Sequence, residues 1–134
     1  MTRGWIVEFH DEFDPELDAL SEAVQDELLA QLALLEKIGP ALGRPRVDTL
    51  NGSAHANMKE LRFAADGGEW RAAFAFDPRR RAVVLVAGDK SGGSEKRFYK
   101  RLIAKADKRF SAHCERLEQE EKQRKQQEKE RKRK

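Results

Sequence analysis

The residues best suited to chemistry lie within residues 57–101, where cationic side chains surround the only tyrosine of the chain, Tyr99. The cations of this stretch include Lys59, Arg62, Arg71, Lys90, Lys96, Arg97, Lys100 and Arg101. Arginine and lysine stabilise negative charge on phosphate, and a tyrosine can stack on a base or donate a proton. We therefore interpret the stretch as a polyanion-facing site carried by a small sheet.

Charge is segregated along the chain. The protein has 134 residues, with 27 Lys or Arg and 24 Asp or Glu, for a formal net charge of +3. Residues 1–42 carry 2 basic and 10 acidic side chains, a net of −8, whereas residues 43–101 carry 13 and 7, a net of +6. This asymmetry predicts a polyanion-binding face turned away from an acidic one.

Length and composition predict one small domain with an appendage. We assign residues 1–114 to the domain and residues 115–134 to a charged tail, helical or disordered, because apolar residues are absent after Leu117. Cys114 is the single cysteine, which excludes an intramolecular disulfide and favours a reducing compartment. Neither a signal peptide nor a run of about 18 apolar residues is visible, so we expect a cytoplasmic protein without a membrane span.

Periodicity predicts the elements that position the candidate residues. Alternating apolar residues predict a first strand over residues 4–11. Helices are predicted from Asp14 and from Ser21, and the second ends at Gly39-Pro40. The remaining predicted elements are a loop over 41–53, strands over 57–64, 69–76 and 82–87, and a helix that begins after Ser94.

Together these elements predict an α+β fold: a small twisted antiparallel β-sheet with two N-terminal helices packed on it and a C-terminal helix. Turns at 66–68 and 77–80 join the later strands into a meander, which the first strand joins, with helices covering one face. Arg71 shares its side of the third strand only with Ala73 and Ala75. This pattern predicts an open, concave face around Arg71.

Several segments in order resemble one known family. They are WIVEF, GPALGRP, VDTLNGS, HANMKELR, WRAAFAFDPRRRAVVLVAGDK and FYKRLIAKAD. The ordered set is similar to the RelE/ParE toxin superfamily, specifically its HigB-like branch with phage-derived relatives. The resemblance covers about residues 4–117, so the charged tail lies outside it.

The resemblance implies a function and partners. Most members of the superfamily are toxins that cut mRNA in the ribosomal A site, need no metal or cofactor, and are neutralised by a co-encoded antitoxin. In the HigB branch the antitoxin is typically a helix-turn-helix protein. The ParE branch instead inhibits DNA gyrase, which leaves a non-enzymatic gyrase inhibitor as the alternative.

The resemblance also assigns candidate catalytic residues. Lys59 and Arg62 lie in the MKELR segment, Arg71 follows the tryptophan of the WR segment, Lys90 closes the central strand and Tyr99 begins the last helix. Cleavage of RNA through its own 2′-OH needs a base, a proton donor and positive charge at the phosphate. By strand parity Arg62 and Arg71 can share a face, whereas Lys59 reaches it only from the end of its strand.

The identity of the base stays open between Lys59, Lys90 and His55, the one histidine near the basic stretch. The sequence contains no metal-ligand spacing and no glycine-rich phosphate loop.

Overall fold

The computed structural model describes residues 4–133, so the outermost ends of the predicted domain and tail, residues 1–3 and 134, lie outside it. The helices and strands in chain order are β1 (Ile6–Phe9), α1 (Phe13–Asp18), α2 (Glu22–Ile38), β2 (Val47–Thr49), β3 (Met58–Ala65), β4 (Gly68–Phe76), β5 (Arg81–Asp89) and α3 (Glu95–Lys132). A short 3₁₀ turn, Gly39–Ala41, follows α2. The predicted α+β class is confirmed.

The strands form one sheet in the order β1-β5-β4-β3-β2. The predicted meander of β3, β4 and β5 is confirmed, because each pairs antiparallel with its neighbour. Two details differ from the prediction. β1 pairs in parallel with β5, so the sheet is mixed, and residues 47–49 form the edge strand β2 within the predicted loop.

Local sequence chemistry explains the boundaries. Ser21 Oγ accepts the N–H of Val24 at the start of α2, and Ser94 Oγ accepts the N–H of Arg97 at the start of α3. Gly39 ends α2 with a φ of 67°, and a Cβ there would lie 2.1 Å from the ring of Trp5, so a side chain is excluded for two reasons.

Helices cover both faces of the sheet, which corrects the predicted one-sided packing. α1 and α2 bury Phe13, Leu28 and Leu35 against the β3–β4 side that carries Leu61 and Phe74. α3 buries its side chains against the other face; these include Leu102, Ala106 and Phe110.

The predicted open face around Arg71 is therefore wrong along most of β4. Ala73 and Ala75 are fully buried beneath α3, because small side chains allow a helix to approach the sheet closely. Only the start of β4, where Arg71 lies, remains beside the first turns of α3.

A β-bulge fixes the position of α3. Ala73 and Phe74 of β4 are opposite Val86 and Val84 of β5, so Leu85 is the extra residue. Arg109 of α3 donates from Nη1 to the carbonyl of Leu85 at 2.7 Å and also pairs with Glu16 of α1. One buried guanidinium thus ties α3, β5 and α1 together.

The charged segment after residue 114 is helical and continues α3 to Lys132. Leu117 is buried, and Arg79 at the β4–β5 turn lies 2.9 Å from Glu120, so the body of the protein contacts α3 beyond residue 114. The boundary of a separate tail stays a prediction. Among residues 4–133, no helix is long and apolar enough to cross a membrane.

Candidate functional site

Two arginines define the centre of the candidate site. Arg62 of β3 and Arg71 of β4 are direct partners in the antiparallel register, so they share one face of the sheet. Like charges directly opposite one another are unfavourable on a sheet unless anions offset them. The surrounding side chains supply these anions.

Glu60 is the buried carboxylate at this centre, with its side chain 4% exposed. Its Oε1 accepts from Arg62 Nε at 2.6 Å and from the Tyr99 hydroxyl at 3.3 Å. Arg71 Nε donates to the Tyr99 hydroxyl oxygen at 3.3 Å and its Nη1 donates to the carbonyl of Trp70 at 2.9 Å. The result is a hydrogen-bonded chain from Arg71 through Tyr99 and Glu60 to Arg62.

Asp48 of the unpredicted strand β2 extends the chain outward. Its Oδ2 lies 3.5 Å from Arg62 Nη2 and 3.0 Å from Arg44 Nε. The backbone N–H of Thr49 holds the pKa of Asp48 below its usual value, and Arg44 acts in the same direction. The carboxylate therefore stays charged and fixes the outer side of Arg62.

A cleft of about 270 Å³ opens between β2, β3 and the first turn of α3. Its lining includes Asp48, Thr49, Glu60, Arg62, Glu95 and Tyr99. Burial raises the pKa of Tyr99, an effect that the hydrogen bond from Arg71 opposes. The hydrogen bond to Glu60 raises the pKa of Arg62. At neutral pH the cleft therefore presents a neutral phenol beside the permanently charged guanidinium of Arg62.

The other predicted residues do not join this cluster. Lys59 Nζ donates to Thr49 Oγ1 at 3.3 Å and lines a different cavity beside Leu35 and Phe74. It therefore lies on the α2 face, as strand parity requires.

Lys90 and His55 are also held elsewhere. Lys90 Nζ lies 3.1 Å from Glu95 and 3.7 Å from Glu69, so it borders the cleft only through Glu95. His55 hydrogen-bonds Ser111 Oγ at 2.9 Å and packs edge-on against Phe110. The structure thus brings together Arg62, Arg71 and Tyr99, and separates them from Lys59, Lys90 and His55.

The sequence analysis selected neither Glu60 nor Asp48 as a site residue. The available signal for Glu60 was its position two residues before Arg62, which places both side chains on one face of the strand. Asp48 had no such signal, because β2 is only three residues long and lacks alternation.

A second polar cluster has a structural explanation. Glu8, Asp77 and His113 bring potential metal ligands within 4.8 Å of one another. Arg116 Nη2 donates to His113 Nδ1 at 3.0 Å, so Nε2 carries the proton and donates to Asp77 at 2.9 Å. Asp77 also accepts the N–H groups of Arg79 and Arg81. Both ring nitrogens are occupied, and the cluster anchors the β4–β5 turn to α3.

A five-stranded sheet with two N-terminal helices on one face and a C-terminal helix on the other defines a RelE-like fold. A mutant of the E. coli toxin RelE in the free state has a similar fold, with a TM-score of 0.52 at 13% identity over 76% of this chain and 96% of RelE. At that identity the likeness concerns the fold alone.

Sequence comparison identifies the family. Residues 15–111 match the family described as Phage derived protein Gp49-like (DUF891). Two candidate toxins of Mycobacterium tuberculosis (strain ATCC 25618 / H37Rv) are similar to the chain. HigB2 is 44% identical over 103 residues, 76% of this chain and 51% of HigB2, and HigB3 is 47% identical over 91 residues, 68% of this chain and 77% of HigB3. The chain spans about half the length of HigB2. It belongs to the phage-derived Gp49-like family, a HigB-like branch of the RelE/ParE superfamily.

Proposed function

We propose that this protein is the toxin of a toxin–antitoxin system and acts as a ribosome-dependent endoribonuclease that cleaves mRNA. The hydrogen-bonded chain from Arg71 through Tyr99 and Glu60 to Arg62 carries the proposal, because it connects two positive charges, a neutral phenol and a carboxylate, three of which line the cleft: Glu60, Arg62 and Tyr99. The names of its HigB-like relatives support the toxin assignment.

The proposed reaction is attack of a 2′-oxygen on the adjacent phosphorus, with departure of the 5′-oxygen. Arg71 and Arg62 stabilise the charge that develops on the phosphate oxygens. Tyr99 donates its hydroxyl proton to the departing 5′-oxygen, which requires the phenol to be protonated at neutral pH. The raised pKa of Tyr99 meets this requirement.

Glu60 is the proposed acceptor of the 2′ proton. Its Oε1 is engaged by Arg62 and Tyr99, and no described side chain donates to Oε2, which remains available to the substrate. After product release Glu60 gives up the proton on Oε2 to solvent and the Tyr99 phenolate takes one from solvent, so the cluster is restored after each turnover. Lys59 and Lys90 enter the proposal only as positive charges near the bound message.

The ribosome supplies what the cluster lacks. A carboxylate that is already hydrogen-bonded to a guanidinium is a weak base, so cleavage of free RNA should be slow. A ribosome that holds the message with its 2′-oxygen in line with the leaving group supplies the missing orientation.

The deciding experiment is primer extension on a translated message with purified ribosomes. Wild type should give discrete cleavage products, and Arg71→Ala and Tyr99→Ala should give far fewer. Equal cleavage by all three proteins would remove these residues from the mechanism. Absence of cleavage by wild type, together with DNA-damage signalling in cells, would favour the gyrase alternative.

The proposed partner is a co-encoded helix-turn-helix antitoxin. Co-expression of the neighbouring gene product with this protein should restore growth and yield a stable complex. Arg71→Ala should form the same complex, because its effect is confined to the cleft. Failure of any adjacent gene product to bind would contradict the toxin assignment.

A further inference from the structure

A second basic feature lies on the other flank of α3. Arg97, Arg101 and Lys105 line one wall of a groove of about 480 Å³, and the end of β5 from Val86 to Asp89 lines the other. β1 pairs with β5 only up to Val84. Beyond Val84, one edge of β5 therefore faces this groove while the other edge pairs with β4.

The three cations form a ridge along α3. Four-residue spacing places them on one side of the helix, about 6 Å apart along its axis. Arg97 and Arg101 are exposed, and neither forms an ion pair with any side chain of residues 4–133. Lys105, which is 51% exposed, lies 3.8 Å from Glu16. Arg97 and Arg101, which have no such partner among the described residues, suit a ligand that repeats its negative charge along its length.

The groove lies next to the Arg71 cluster. Gly88, on the groove wall, is the register partner of Arg71, and Phe98, on the floor, touches the ring of Tyr99 with centroids 5.3 Å apart. A Cβ at Gly88 would lie 2.9 Å from the Phe98 ring, so the close contact between strand and helix favours glycine. The groove and the cluster are therefore neighbours, close enough for one extended polyanion to contact both.

The one acidic side chain of the groove is already committed. Asp89 Oδ1 accepts from the hydroxyl and N–H of Ser91, at 2.5 and 2.8 Å, and from the N–H of Glu69 at 3.1 Å. Its charge is therefore directed toward these donors, and positive charge dominates the groove.

We propose that this groove binds the sugar–phosphate backbone of single-stranded RNA next to the scissile phosphate, with Arg97 and Arg101 contacting successive phosphates. The inference rests on the proposed function, because it treats the RNA at the Arg71 cluster as the message. An acidic peptide could also satisfy the two charges. Because the groove lies next to Arg71, where the proposed function places the message, the same RNA strand can contact both, which favours RNA.

The test measures binding without cleavage. The probe is a fluorescent 2′-O-methyl RNA of about ten nucleotides, a length typical of single-strand sites. Its affinity is measured by anisotropy over a range of salt concentrations. Loss of two phosphate contacts in Arg97→Gln/Arg101→Gln should reduce the slope of log affinity against log salt by about 1.4. Circular dichroism verifies that each variant is folded.

Lys37→Gln/Arg80→Gln is the matched control, because it removes the same charge at the opposite end of the sheet. Lys37 and Arg80 are exposed. They lie at the end of the sheet where β1 begins, with Ile6 opposite Arg81. Its salt slope should equal that of wild type. Equal slopes for the groove and control variants would overturn the inference, as would retention of RNA binding with loss of binding to a glutamate-rich peptide.

Ribosomal cleavage is measured separately, so the two proposals can fail independently. Cleavage by wild type combined with an unchanged salt slope in the groove variant would leave the proposed function standing and remove the groove. A reduced salt slope in the groove variant, together with no cleavage by wild type, would support the groove as an RNA-binding surface and contradict the proposed ribonuclease activity.

Discussion

Arg62 and Arg71 are stable as direct neighbours because Glu60 and Asp48 lie beside them. Glu60 is buried, so it interacts with Arg62 in a less polar medium than water and holds the guanidinium in one orientation. Tyr99 connects this pair to Arg71. A phosphate that enters the cleft therefore meets donors that are already oriented, which is the condition for effective charge stabilisation.

Arg71→Ala should reduce ribosome-dependent cleavage by about 100-fold or more, the effect of losing one preorganised charge stabiliser. Quantitative primer extension measures the change. Arg80→Ala is the matched control, since that exposed arginine lies at the opposite end of the sheet and should leave the rate unchanged. A loss of less than threefold in Arg71→Ala would contradict the role.

Glu60→Gln should lower the cleavage rate by about 100-fold, the lower range for loss of a general base, while the amide keeps the shape of the side chain. Asp48→Asn tests whether Glu60→Gln acts only by removing a negative charge beside Arg62. Asp48 also contacts Arg62, but it lies at the outer side of the cleft. A comparable loss in both variants would make Glu60 a positioning residue for Arg62 and not the base.

Tyr99 can be titrated directly, because it is the only tyrosine of the chain. Its phenolate absorbance should appear above the usual pKa of about 10 in the folded protein, since burial favours the neutral phenol. Arg71→Ala should shift the midpoint higher, because the hydrogen bond from Arg71 lowers this pKa.

The raised pKa of Tyr99 in the folded protein determines how the stability changes with pH. The contribution of Tyr99 is fully present below the unfolded pKa of about 10 and is lost as pH rises through the folded pKa. Denaturant unfolding at increasing alkaline pH should show this decline. A midpoint for wild type at or below 10 would contradict the burial of the phenol at this site.

At the level of elements, the bulge at Leu85 makes Arg109 a structural residue. Its side chain is 8% exposed. It donates a hydrogen bond to the Leu85 carbonyl and forms ion pairs with Glu16 and Glu12. Arg109→Met should destabilise the fold by about 2 to 3 kcal/mol, because it leaves a buried carbonyl without a donor. Lys105→Met, which removes a half-exposed partner of Glu16, should cost less than about 1 kcal/mol.

The Arg109 effect should depend on pH. The hydrogen bond from Arg109 lowers the pKa of Glu16, so its stabilisation is present above the unfolded value near 4.5 and is lost as pH falls through the folded pKa. The difference in unfolding free energy between wild type and Arg109→Met, measured in urea, should therefore narrow in acid and leave the part due to the Leu85 carbonyl. A difference independent of pH would assign the whole effect to the carbonyl.

The sequence predicted elements whose signals are local. The turn Asp66-Gly67, with φ values of 51° and 75°, and the serine caps follow from residue types within a few positions. The parallel pairing of β1 with β5 depends on partners more than 70 residues apart and has no local signal. The burial of Ala73 and Ala75 was misinterpreted because small apolar residues suit both an exposed face and close helix packing.

The candidate site, like the fold, could be predicted only where local sequence patterns constrain it. Arg62, Arg71 and Tyr99 were identified and do meet, because strand parity and the Phe98–Tyr99 neighbourhood constrain them. Glu60 was underestimated because burial of a charged residue is set by what covers it, here Tyr99 of α3. Lys90 was included for its place at the end of a strand, which does not show which acids hold its side chain.

At the scale of the whole molecule, the two faces of the sheet differ in charge. α1 and α2, which belong to the −8 segment, cover one face, while the Arg71 cluster and the groove lie on the α3 side. Positive charge around the Arg71 cluster and the groove orients the protein toward a polyanion during encounter, while Asp11, Glu12 and Glu16 of the acidic segment are offset by pairing with α3. The complex of the antitoxin with Arg71→Ala tests the proposal that antitoxin binding does not depend on this cluster.

The charged end of α3 supplies the last prediction. The segment after Leu117, EQEEKQRKQQEKERKRK, contains no apolar residue, and Arg79–Glu120 is an exposed pair that contributes about 1 kcal/mol at most. Removal of residues 118–134 should shift the thermal midpoint by only a few degrees, because stability resides in packed surface and this segment adds almost none. Calorimetry of the full chain and the truncated chain measures this shift, with removal of residues 110–134 as the contrasting variant. That longer deletion also removes Phe110, His113 and Leu117, which are buried against the body, so it should unfold the protein. A drop of more than about 10 °C after the shorter deletion would show that the charged segment is part of the folding unit.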